Sequence, residues 1–190
     1  MHTWKLVTKP LDTIPIANKW LFVKKTNNLG QISKYKARLV IKGCSQRPGF
    51  DYNETFSPVV RIETIRLILA MVPQMDLRIQ QMDIKGAYLN SVLKEDIYMR
   101  QPEGFSDGTD KVCKLIKTLY RLKQAGREWN IQFDQGLQDM GFTRLYSDPC
   151  VYIRRRGKDF QIITVWVDDL LIFTNTEVGM HLTKEQLAQR

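Results

Sequence analysis

Cysteine is scarce. Cys44, Cys113 and Cys150 are the only three in 190 residues, they lie far apart, and no Cys-x-x-Cys pair exists. With histidine limited to His2 and His181, this excludes a disulfide scaffold and argues against a zinc site. No run of about 18 apolar residues occurs, so no helical membrane span is expected. The opening Met1-His2-Thr3-Trp4-Lys5 lacks the apolar stretch of a secretory leader. A reducing, intracellular and cytoplasmic setting is the expectation. Internal repeats, low-complexity tracts and Pro/Gly/Ser-rich linkers are also missing, so the chain reads as one domain. Hydrophobic residues at 43% against 26% charged provide enough apolar material for a buried core and argue against disorder.

Acidic residues are missing from one place in particular. Residues 1–50 hold ten lysines and arginines but a single acid, Asp12, whereas residues 51–190 hold nineteen of each sign. The whole net charge of +9 therefore belongs to the first quarter of the chain. Charge spread evenly would speak only for solubility. Concentrated in one segment, it suits a polyanion whose phosphates are neutralised by Lys and Arg.

The local patterns alternate between strand and helix. Lys19 to Thr26 reads as a strand, Asn27-Asn28-Leu29-Gly30 as a turn, and Gln31 to Lys42 as the returning strand. This hairpin carries most of the basic excess, including Lys24, Lys25, Lys34, Lys36, Arg38 and Lys42. Ile62, Ile65, Leu69 and Val72 recur at helical spacing, with Pro73 as the predicted stop. A strand over Leu77 to Ile84 follows. A long helix is predicted from Leu119 to Met140, closed by Gly141. Cys150 to Arg156, Phe160 to Val167 and Leu170 to Thr174 read as three consecutive strands, and a helix begins at Glu177. Helices interspersed with antiparallel hairpins predict an α+β fold.

Two positions carry the chemistry. In Trp166-Val167-Asp168-Asp169-Leu170-Leu171-Ile172 adjacent carboxylates sit between apolar strands. Aspartate is a favoured turn residue, so this alone fits an ordinary hairpin. Asp83 ends another apolar-alternating strand, where a capping role is the commoner case. If these two segments are neighbours, three like charges converge at one sheet edge and need cations to offset their repulsion. Hard oxygen ligands without histidine or cysteine favour magnesium over zinc. Two such ions about 4 Å apart serve phosphoryl transfer by activating an attacking hydroxyl and stabilising a leaving oxygen.

The strings Asp83-Ile84-Lys85-Gly86-Ala87-Tyr88 and Trp166-Val167-Asp168-Asp169 resemble polymerase motifs A and C of reverse transcriptases. Tyr35-Lys36-Ala37-Arg38-Leu39-Val40, Asp51-Tyr52-Asn53-Glu54-Thr55-Phe56-Ser57-Pro58-Val59, Gln101-Pro102-Glu103-Gly104-Phe105 and Leu119-Tyr120-Arg121-Leu122-Lys123-Gln124-Ala125 narrow the resemblance to the copia-type retrotransposon branch. It runs from Trp4 to about Thr174. The resemblance implies fingers (about 1–76 and 93–118) and palm (about 77–92 and 119–176) of a right-hand polymerase. It further implies extension of a DNA primer on an RNA or DNA template, with dNTPs as substrates. Asp83, Asp168 and Asp169 would be the catalytic triad and the ligands of two Mg2+ ions, Mn2+ being an alternative. Lys36 and Arg38 would hold the triphosphate, Tyr88 would exclude a ribose 2′-hydroxyl, and Gln124 would contact the nucleotide. Lys24, Lys25, Lys34 and Lys42 would bind nucleic acid, and the setting would be a virus-like particle.

Three residues depart from the family pattern. Trp166 stands where most relatives have Tyr, Arg121 where they have Gly, and Gly126 where they have Pro. If the family glycine adopts positive φ, Arg121 strains that turn. The palm of this family continues beyond the Asp-Asp hairpin, so residues 177–190 read as the start of a truncated helix, with thumb and RNase H regions left to a longer polyprotein. A silent remnant that binds nucleic acid without turnover is the alternative reading.

Overall fold

The computed structural model describes residues 2–189. Along the chain run β1 (Trp4–Val7), β2 (Asn18–Thr26), β3 (Ile32–Ile41), α1 (Ile62–Met75), β4 (Arg78–Asp83), α2 (Ala87–Asn90) and β5 (Tyr98–Met99). There follow β6 (Val112–Leu115), α3 (Ala125–Asp139), β7 (Thr143–Arg144), β8 (Val151–Arg156), β9 (Asp159–Trp166), β10 (Asp169–Thr174) and α4 (Glu177–Ala188). These elements form two compact units, Met1–Phe56 with Tyr88–Glu128 and Ser57–Ala87 with Trp129–Arg190. The antiparallel sheets and the four helices agree with the α+β expectation.

In the first unit β2 and β3 form the expected basic hairpin, with Lys25 opposite Lys34 and Leu21 opposite Arg38. Its turn is held by the Asn27 side chain, whose Oδ1 accepts from the N–H groups of Leu29 and Gln31 at 3.0 Å each. Gly30 there adopts φ +74°, a region open to glycine at little cost. A three-stranded antiparallel sheet in the order β1-β6-β5 went unpredicted. Ile41, Ile97, Met99 and Cys113 are almost wholly enclosed in this unit's core.

In the second unit a five-stranded antiparallel sheet runs in the order β4-β10-β9-β8-β7. Its strands supply Tyr152, Ile163, Leu170, Ile172 and Phe173 to a core that also takes in Ile68 of α1 and Leu137 of α3. α1 packs Ile68 into this core with Ile65 and Val72 against it, while Ile62 and Leu69 of its expected stripe are exposed.

Two helices differ from expectation. Pro73 lies inside α1, which continues to Met75 and is closed by Asp76 in the left-handed region at φ 49°, its N–H bonding to Val72 O. A proline lacks the N–H and its ring crowds the carbonyl four residues back, yet the last turn after Pro73 still closes. The helix predicted from Leu119 starts six residues later, at Ala125. Residues 119–124 instead form two tight turns, Leu122 N to Leu119 O at 3.1 Å and Ala125 N to Leu122 O at 3.2 Å. Helix α4 is N-capped by Thr176, whose hydroxyl accepts from Gly179 N at 3.0 Å. It sits close on the sheet. A Cβ at Gly179 would lie 2.7 Å from both the Gln161 amide nitrogen and Thr176 Oγ1, and Met180 of α4 is buried in the same core.

Candidate active site

Asp83 is the last residue of β4 and pairs directly with Asp169, the first of β10. Strands in this register hold opposed Cα atoms roughly 4.5–5.5 Å apart with side chains on one face. Asp168 occupies the turn between β9 and β10, and its carbonyl accepts the Ile84 N–H at 2.9 Å. The three carboxylate-bearing residues, 85 positions apart in sequence between Asp83 and Asp168, are thus neighbours. Asp83 and Asp169 are exposed and Asp168 is half-buried. Gln81 Nε2 donates to Asp169 Oδ1 at 3.1 Å. Among the described residues no three His, Cys, Asp or Glu side chains close into a ready metal cage. The donor chemistry nevertheless suits a hard divalent cation, because carboxylate oxygens are hard ligands.

The turn itself is strained. Val167 has φ +58°, a rare conformation for a β-branched residue. The Trp129 indole N–H donates to Val167 O at 2.8 Å, and Trp129 is buried and stacked on Phe133 with ring centroids 4.9 Å apart. An aromatic core residue on α3 thereby fixes the acidic turn. The sequence marked Trp129 only as part of the helix's apolar face. Beside Asp169, Gln81, Thr164, Trp166 and Ile65 line a recess of about 200 Å³.

The first unit contains a larger cavity of about 550 Å³, lined by Leu21, Arg38, Tyr88, Tyr120, Arg121 and Lys123 among others. Arg38 and Tyr88, both expected at a nucleotide site, are here. The Arg38 guanidinium lies 5.5 Å from the centre of the Tyr120 ring, and Tyr88 meets Tyr120 edge-on at 5.3 Å. Lys36 shares the Arg38 face of β3 but lies one pleat further out and does not line the cavity. Lys25 and Lys34 follow on that face. Lys24 falls on the opposite face with exposed Phe22 and Tyr35, and Lys42 is exposed just beyond β3.

Gln124 does not reach the cavity. It is fully buried, its Oε1 accepts from Gln46 Nε2 at 2.9 Å, and its Nε2 donates to Asp51 O at 2.9 Å and Glu95 Oε2 at 3.3 Å. Gln46 Oε1 in turn accepts the Lys123 N–H at 2.8 Å. These bonds tie the 119–124 segment to Gln46, Asp51 and Glu95.

The profile of the family described as "Reverse transcriptase (RNA-dependent DNA polymerase)" matches residues 1–190. The chain belongs to the reverse transcriptase family. It is 43% identical over its full length to the "Retrovirus-related Pol polyprotein from transposon RE1" of Arabidopsis thaliana. It is 46% identical over 90% of its length to the corresponding polyprotein from transposon TNT 1-94 of Nicotiana tabacum. More distantly, it is 30% identical over 87% of its length to the "Transposon Ty1-DR4 Gag-Pol polyprotein" of Saccharomyces cerevisiae. The two plant relatives are copia-type, in agreement with the resemblance seen in the motifs. The chain spans 13% of the length of each of them.

Within this reverse transcriptase domain the anticipated strain at Arg121 is present, at φ +72°. Trp166 is about half exposed at 49%, so the larger ring is accommodated at the surface rather than forced into the core. Gly126 lies in the first turn of α3, where a proline would have been preorganised.

Proposed function

We propose that this chain forms the fingers and palm of a copia-type reverse transcriptase and extends a DNA primer on an RNA or DNA template by magnesium-dependent nucleotidyl transfer. The observation that carries the reading is the direct pairing of Asp83 with Asp169 beside the Asp168 turn. Asp83, Asp168 and Asp169 would hold the divalent ions through their carboxylate oxygens. Bound magnesium supplies Lewis acidity to the attacking and leaving oxygens. Trp129 keeps the turn in place through Val167. In the first unit Arg38 offers a planar, permanently charged phosphate donor, Tyr88 crowds the sugar, and Gln124 is a positioning residue. Lys24, Lys25, Lys34, Lys36 and Lys42 neutralise template–primer phosphates, so affinity falls as salt rises. The remaining grip on the primer comes from thumb and RNase H regions of a longer polyprotein.

Primer extension on a homopolymer RNA template tests this, with Mg2+ or Mn2+ and an Asp168→Asn control. Incorporation above the control supports the polymerase. Salt-dependent template retention without extension supports the silent remnant instead.

A further inference from the structure

Arg121 holds a conformation that glycine adopts freely and other residues only at a cost. Its surroundings impose that conformation. Tyr120 O accepts from Ile41 N at 3.1 Å, and the Arg121 carbonyl is pressed so closely on Gly43 that a Cβ there would lie 2.1 Å from its oxygen. The fold therefore requires this backbone whatever the side chain. A glycine would satisfy it without strain. What arginine adds is a permanent positive charge at a residue lining the 550 Å³ cavity, and among the described residues no ion pair or side-chain hydrogen bond engages it.

The cavity's composition says what that charge meets. Arg38, Arg121 and Lys123 line it, no carboxylate does, and Tyr88 and Tyr120 contribute aromatic surface. A space of this size suits a ligand larger than a lone anion. Lys123 is partly engaged, since its ammonium bonds Tyr52 Oη at 3.0 Å, which leaves the two guanidiniums as the planar donors. Phosphate oxygens match that geometry, two N–H groups at a time.

We propose that Arg121 is a phosphate-binding residue of this cavity, pairing with Arg38 to hold the triphosphate of a nucleoside triphosphate. The inference rests on the nucleotide-binding reading of the cavity and adds to it Arg121, a residue to which the resemblance gives no such role. The same phosphate chemistry exists in a nucleic-acid backbone, so the test separates the two.

The experiment titrates the 190-residue chain with tripolyphosphate, with dTTP and with oligo(dT), and repeats this for Arg121→Gly and Arg121→Ala. The first variant relieves the backbone and the second keeps it strained, while both remove the guanidinium. The expected result is a loss of about tenfold in affinity for tripolyphosphate and dTTP in both variants, the size of one charge-assisted contact. Oligo(dT) binding stays within about twofold, one phosphate contact among several. Arg121→Gly also melts at a higher temperature than the wild-type chain. Unchanged dTTP affinity in either variant overturns the proposal, as does failure of the wild-type chain to bind dTTP or tripolyphosphate. A loss confined to oligo(dT) also overturns it, assigning Arg121 to the nucleic-acid backbone. Arg121-dependent dTTP binding without primer extension leaves this proposal standing and overturns the polymerase reading alone.

Discussion

Asp83 and Asp169 face each other directly across β4 and β10, two carboxylates in a register that sheets normally fill with opposite charges or apolar pairs. With no cation between them, their repulsion opposes folding. Asp169→Asn should therefore raise the stability of the metal-free chain by about 0.5 kcal/mol while abolishing extension. Added Mg2+ should raise the melting temperature of the wild-type chain and leave that of the variant nearly unchanged. A variant that melts below the wild-type chain without magnesium would mean that the two carboxylates do not repel in the folded state.

The acidic turn depends on Trp129. Trp129→Phe keeps the ring stacked on Phe133 but removes the indole donor to Val167 O. The expected cost is about 1 kcal/mol of stability. Freed from its tether, Val167 relaxes from φ +58°, and Asp168 moves with it. Steady-state extension should then show a lower kcat with an almost unchanged KM for dNTP. An unchanged kcat alongside the stability loss would reduce Trp129 to a packing role.

Much of this was legible in the sequence because local pattern and tertiary role agreed. The β2–β3 hairpin announced itself through alternation, a turn-forming Asn27–Gly30 and clustered lysines. Asp83 and the Asp168-Asp169 turn stood out as carboxylates closing apolar strands. The pairing of Asp83 with Asp169 was open to inference but not visible, because register is a property of two distant segments. Gln124 could not be placed, since its burial is set by Gln46, Asp51 and Glu95, none of which announces a partner at residue 124. The strands β1, β5 and β6 are two to four residues long, too short for periodicity to emerge. The shortened α3 follows from Arg121. A single left-handed residue ends helical continuity, and no propensity scale expects it at arginine.

Cysteine reactivity should follow burial. Desolvation, reinforced by Asp107, pushes the Cys113 thiol up to about 11, and desolvation with Asp148 pushes Cys150 up to about 12, from an ordinary 9.0. At pH 8 an alkylating reagent should label exposed Cys44 and spare the other two until the chain unfolds. The same shifts set a pH dependence. Above pH 9 the unfolded chain releases these thiol protons while the folded chain keeps them, so stability falls as pH rises toward 11 and 12. Tyr152, raised by burial and by its bond to Asp134, acts in the same direction. Urea midpoints at pH 8, 9.5 and 10.5 should decline, and replacing Cys113 and Cys150 by alanine should flatten the decline. An equally steep slope in the double variant would assign the effect to other groups.

Arg154 is the group whose loss should loosen the C-terminal helix without touching the acidic turn. It is 4% exposed. Its guanidinium donates to Gln161 Oε1 at 2.7 Å, Met140 O at 2.7 Å, Gln186 Oε1 at 2.9 Å and Thr183 Oγ1 at 3.0 Å, while lying 4.2 Å from the Phe142 ring centre. It thus satisfies a carbonyl just past the end of α3, where a cation is favoured by the helix dipole, and ties α4 to β8 and β9. Arg154→Leu keeps part of the apolar stem but strands these acceptors, at a cost of about 3 kcal/mol. Hydrogen exchange should show α4 opening first, with the β9–β10 amides remaining protected under native conditions. Uniform loss of protection across β9, β10 and α4 would mean that α4 has no separate opening and that the sheet and its covering helix unfold as one cooperative element.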